Sequence, residues 1–199
     1  MKSHALMLGV ATAAFVVVGG CNNTSANKSE TAQTPAAKKV AGDKTIAAGL
    51  AANGKFMAAA KSAGLDQTLA GPGPYTVFVP DDAAIDAAPA GTFDAKPDNR
   101  AQLTGVLTNL IISGTVMAAD IGKAIDAGKG KALLGTMGGG TLIATKDGDK
   151  IVLTDSAGHK ATVTQADEVF SNGVVHHVDA ALLPAKGQPA KLAVGQKAG

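Results

Sequence analysis

Hydrophobic and polar positions divide the chain into four stretches. An apolar run from Ala5 to Val18 follows Lys2 and His4. At 14 residues it is short for a membrane span and has the length of a secretory h-region. From Asn22 to Ala41 the residues are small and polar with no apolar period, which predicts a flexible tether with a reach of about 25 Å. From Ala185 to Gly199 the chain has Gly, Pro and Lys but little to bury, which predicts a mobile tail. Between these ends, Asp43 to Pro184 carries the periodic apolar positions of one folded unit.

Within that unit, Asp43-Lys44-Thr45-Ile46 can cap a helix running through Leu50 and Ala51, and Lys55 to Ala63 reads as a second helix ended by Gly64. Gly71-Pro72-Gly73-Pro74 is incompatible with regular structure. A short buried strand, Tyr75 to Val79, follows and ends at Pro80. Asp81 or Asp82 can then cap a short helix through Ala87. Pro97 suits the first turn of a longer helix whose core face is Leu103, Val106, Leu107, Leu110 and Ile111, broken at Gly114. After Ile125 the texture changes to strands over 131–136, 141–146, 150–154 and 161–165, separated by Gly138-Gly139-Gly140, Asp147-Gly148 and Ala157-Gly158. Helices first and antiparallel strands later predict an α+β domain.

Composition narrows the function. Apolar residues make up 46% of the 199 and charged residues 17%, a foldable mixture of single-domain size. Aromatic content is 3%, with no Trp and one Tyr, Tyr75, so a stacking platform for bases or sugars is not expected. Lys and Arg number 18 against 16 acidic residues, and the lysines are spread along the chain, so nothing asks for nucleic acid as a partner.

Cys21 is the one cysteine, and it ends the segment Val18-Gly19-Gly20-Cys21. An intrachain disulfide is therefore excluded. Small residues before a cysteine at the end of an h-region are similar to a bacterial lipobox, with 1–20 as signal peptide, 21–42 as tether, 43–184 as the domain and 185–199 as the tail. Lipidation at Cys21 would hold the protein on a membrane through acyl chains at about 0.8 kcal/mol per buried CH₂. Asn22 stands after the cysteine rather than an inner-membrane-retaining Asp, so the outer membrane of a bacterial cell envelope is the expected address. An ordinary signal peptide, with a periplasmic or secreted product, is the alternative.

Two segments together carry a resemblance. Gly73-Pro74-Tyr75-Thr76-Val77-Phe78-Val79-Pro80-Asp81-Asp82-Ala83-Ala84-Ile85 resembles the first signature of the fasciclin (FAS1) domain, a GPFTVFAPTDAAF-like run. Asn172-Gly173-Val174-Val175-His176, with Asp179 and Leu182-Leu183-Pro184, is similar to the second, NGVIHVIDxVLLP. The resemblance covers Asp43 to Pro184. It implies a wedge of β-strands with helices packed along it, in secreted or surface-anchored proteins linked to adhesion, matrix contact and interaction, without an agreed catalytic activity. Where many members carry a Tyr-His pair and Val-Val-Pro-Gly, this chain has Asn109-Leu110-Ile111-Ile112-Ser113-Gly114, so partner binding attributed to that pair does not carry over. Asp81-Asp82 likewise replaces Thr-Asp or Thr-Asn.

The adjacent histidines invite a catalytic or metal reading. Strand neighbours point to opposite faces, which sets His176 with Val174, Val178 and Ala180, and His177 with Val175 and Asp179. The pair therefore cannot chelate one ion, and no His, Cys or Glu stands nearby at ligand spacing. His176 takes the signature position and is expected to be a buried, hydrogen-bonded structural residue, with Asp179 structural too. His177 stands where the family has an aliphatic residue. It is either a tolerated polar substitution beside Asp179 or a pH-sensitive contact in a partner interface. There is no GxSxG elbow, and Asp147-Gly148-Asp149 fails the calcium-loop pattern at Val152 and Gly158. The expectation is a non-enzymatic adhesion or interaction module without metal or cofactor, tethered to a membrane and meeting an envelope or extracellular protein or matrix component. Tyr75, Asn109, Leu110 and His177 are its candidate contact residues. The rival is a carrier with an apolar crevice for a small molecule.

Overall fold

The computed structural model describes residues 42–50 and 54–185. Helices α1 (Ile46–Gly49), α2 (Gly54–Ala63) and α3 (Asp66–Ala70) come first, followed by β1 (Tyr75–Pro80) and α4 (Asp82–Ala87). A 3₁₀ turn over Pro97–Asn99 leads into α5 (Arg100–Asn109), then β2 (Ile111–Ser113) and α6 (Ala118–Ala127). Strands β3 (Ala132–Gly135), β4 (Thr141–Asp147), β5 (Lys150–Thr154), β6 (Lys160–Phe170) and β7 (Gly173–Val178) complete the fold. Thr45 caps α1 by accepting from Ala48 N–H, and Gly64 ends α2 in the left-handed region at φ +77°. Gly148, at φ +59°, makes the two-residue turn between the paired residues Asp147 and Lys150.

The seven strands lie in the order β2-β1-β7-β6-β5-β4-β3. All pairs are antiparallel except β1–β7, which run parallel with Tyr75 opposite Gly173 and Pro80 opposite Val178. A parallel pair needs a long crossover, and nearly the whole intervening domain supplies it. The first signature and the second thus meet side by side in the sheet, one strand in from its β2 edge. Strand β6 turns the sheet: residues 160–162 pair with β5, while 163–170 pair with β7 through two register shifts flanking Gln165. The expected strand over 161–165 is therefore the first half of a longer one, which runs on to Phe170.

Two further expectations change. Leu110 and Ile111 continue the helical spacing of α5, yet α5 stops at Asn109 and Ile111 begins a strand. The β-branched pair Ile111-Ile112 suits a strand, and Phe78 N–H donates to Leu110 O at 2.9 Å, so pairing with β1 overrides the period. Asp81 occupies the N-cap of α4 without a side-chain capping bond, whereas Asp82 Oδ1 accepts from Lys55 N–H at 3.2 Å and serves the start of α2. The core is aliphatic, as the composition requires, with Phe56, Phe78, Leu103, Leu107, Ile121, Leu142 and Leu153 almost fully buried.

Candidate functional site

The polar residues of the two signatures converge where β1 and β7 pair. Phe78 and His176 are cross-strand partners whose rings stack at 5.5 Å. His176 is fully buried. Its Nδ1 accepts from Asp167 N–H at 3.1 Å and its Nε2–H donates to Val116 O at 2.9 Å, which assigns the Nε2–H tautomer. Burial pushes the imidazole below its ordinary value, against smaller opposing effects from the Val116 bond and Asp167, while His177 pushes it further down. The neighbouring polar side chains knit the same loop. Thr76 Oγ1 donates to Gly114 O and accepts from Val116 N–H, and Asp167 Oδ1 accepts from Ala118 N–H at the start of α6. Asp167 holds a left-handed φ of +60° to do so.

His177 lies on the other face, half-buried rather than exposed. It does not pair with Asp179: its Nε2 donates to Glu168 Oε2 at 2.8 Å and its Nδ1 is 3.8 Å from Asp81 Oδ1. Asp179 instead accepts from Thr162 N–H at 2.6 Å. His177 borders a cavity of about 300 Å³ with Phe56, Val79, Pro80, Asp81 and Asp82. A second cavity, about 440 Å³, opens between α2, α4 and the segment 88–95, with Ala58, Ala59, Ile85, Pro89 and Phe93 on its walls and the Lys55–Asp86 ion pair at its edge.

The other candidate contacts are placed differently. Asn109 and Leu110 are 3% and 0% exposed, so in this fold they offer no contact surface. They end α5 inside the core, where Asn109 Oδ1 takes a hydrogen bond from Thr136 Oγ1. Tyr75 is partly buried at the start of β1, apart from His177 at the other end of β7. Cys21 lies outside the described residues. Among the described residues, no group of three or more His, Cys, Asp or Glu side chains could hold a metal ion, and no helix is long and apolar enough to cross a membrane.

Two buried anchoring roles escape the sequence reading, although Asn172 itself opens the second signature. Asn172 joins three segments, accepting from Ile46 N–H and donating to Leu69 O and Gly71 O, each at 2.8 Å. Asp155, with a fully buried side chain, accepts from the N–H groups of Ala157, His159 and Leu183 and from His159 Nδ1. The spacing Asp155-x-x-x-His159 across a glycine turn is the one local signal for it, and Leu183 is distant in sequence.

A family model described as the Fasciclin domain matches residues 53–184. The protein sll1483 of Synechocystis sp. is 36% identical over 141 residues, covering 70% of this chain and 71% of that one. The transforming growth factor-beta-induced protein ig-h3 of Sus scrofa is 30% identical over 140 residues, and this chain covers 18% of its length. Among solved structures, the FAS1 domain pair of the insect cell adhesion molecule Fasciclin I superposes with a TM-score of 0.62 at 18% identity, over 74% of this chain and 53% of the pair.

Proposed function

From the premise that the chain belongs to the fasciclin-domain family, we propose that it is a non-enzymatic adhesion or interaction module held on the bacterial cell envelope by a lipid on Cys21. The observation that carries this reading is how the signature residues are used: His176, Thr76 and Asn172, joined by Asp167 of β6, bond to backbone groups of their own chain and build the scaffold. Recognition then falls to the outer surface, as in an adhesion molecule. The insect structural neighbour is a cell adhesion molecule, which supports the class. Many tethered copies acting together turn weak individual contacts into firm capture.

The test is cross-linking in the native host followed by mass spectrometry, comparing the wild type with Cys21→Ser. Capture of one envelope or matrix component by the wild type and not by the variant is the expected result. No enrichment in either form would remove the adhesion reading. A second reading, a carrier of an apolar small molecule, is favoured by the 440 Å³ cavity with its Ala, Ile, Pro and Phe walls. A lipid or chromophore co-purifying with the wild type and lost in Ala59→Phe would move the assignment to that class.

A further inference from the structure

We propose that His177 is a proton-operated clasp between β6 and the start of α4. Its ring lies between carboxylates from two different elements, Glu168 at 2.8 Å from Nε2 and Asp81 at 3.8 Å from Nδ1. An ionised carboxylate only accepts, so the neutral ring keeps its proton on Nε2 for Glu168 and turns the Nδ1 lone pair toward Asp81. Two acceptors then face each other across 3.8 Å with no hydrogen bond between them. A proton added at Nδ1 turns the same arrangement into a bridge, with the imidazolium donating to both carboxylates. Asp81 is free to respond, because it sits at the N-cap of α4 without making a capping bond.

The burial suits a clasp. The His177 side chain is 15% exposed and so is held in place, while Asp81 at 48% and Glu168 at 37% stay in reach of solvent. The other charged groups around the ring are already engaged or turned away. Asp82 borders the same cavity but accepts from Lys55 N–H, and the Lys55 ammonium is paired with Asp86. Gln165, the cross-strand partner on β6, is uncharged, as is Val79 on β1. His176, next along β7, faces the opposite side of the sheet and is bonded to Asp167 and Val116. Drawing Asp81 toward the ring narrows the 300 Å³ cavity between the starts of α2 and α4. Protonation at Nδ1 is the trigger. The clasp does not depend on the identity of any partner.

The experiment is long-range ¹H–¹⁵N correlation of the histidine rings in the folded chain at neutral pH and in mild acid, with amide exchange of the first turn of α4 alongside. At neutral pH the His177 ring is expected as the Nε2–H tautomer. In acid, both nitrogens carry protons, the Nδ1 proton is resolved with contacts to the Asp81 β-protons, and exchange at Ile85, whose N–H donates to Asp81 O, slows about threefold to fivefold after correction for intrinsic rates, the range open to a partly exposed pair. Asp81→Ala abolishes the resolved Nδ1 proton and the slowing. Glu168→Gln frees the neutral ring to donate through Nδ1, so α4 is protected alike at both pH values. The proposal is overturned if the wild-type Nδ1 proton exchanges freely with water in acid, or if Glu168→Gln keeps the full pH dependence of α4.

Discussion

His176 shows how one buried side chain couples stability to pH. Its burial and its acceptor role toward Asp167 N–H both require the neutral ring. In the unfolded chain an imidazole titrates near its ordinary value of about 6.5, and in the folded protein it does so lower. Between the two values the unfolded state binds more protons, so stability rises with pH there. The contribution is complete above about pH 6.5 and is lost as pH falls through the lower folded value. Urea denaturation at a series of pH values is expected to show this acid limb, and His176→Phe to flatten it. At neutral pH the same variant leaves Asp167 N–H and Val116 O without partners, for an expected loss of about 2–4 kcal/mol. The buried and bonded state of His176 was legible from its apolar strand neighbours. The Glu168 and Asp81 partners of His177 were not, because nothing in the sequence places β6 and the β1–α4 junction on either side of that ring.

At the scale of elements, parallel pairing of β1 with β7 imposes demands that no local pattern announces. Gly173 has φ +156°, and a Cβ there would run into the Tyr75 carbonyl oxygen. Gly173→Ala is therefore expected to cost about 3 kcal/mol, an overpacking penalty at the seam of the two signatures, read as a lower urea midpoint with an unchanged slope. Asp155 ties the β5–β6 turn to the Leu182-Leu183-Pro184 segment. Asp155→Ala strands three backbone donors and is expected to cost about 3 kcal/mol, with faster amide exchange at Leu183 than in the wild type. Most elements were legible in advance, since caps, glycine stops and hairpin turns are local chemistry. The end of α5 was misread because Leu110 and Ile111 satisfy the helical period while their backbone is taken by β1.

For the whole molecule, the lipid anchor proposed at Cys21 predicts effects distinct from those of the domain. Cys21→Ser is expected to abolish metabolic labelling with a radioactive or clickable fatty acid and to release the protein from the membrane fraction, while leaving the thermal transition of the domain unchanged. Persistent labelling in the variant would place the lipid elsewhere or remove it from the account. The two cavities belong to this scale as well, since each brings together segments far apart in the chain.

The sequence by itself determined the α+β class, the aliphatic core, most of the helices and hairpins, and the family through two signatures a hundred or so residues apart. These follow from short-range rules: side-chain period, capping, turn stereochemistry and composition. Only the tertiary structure decided that the signatures lie parallel and adjacent, that Asn109 and Leu110 are inside, and that His177 stands between Glu168 and Asp81. Those outcomes depend on which distant backbone groups pair across the sheet, a competition among long-range contacts whose result no window of residues contains.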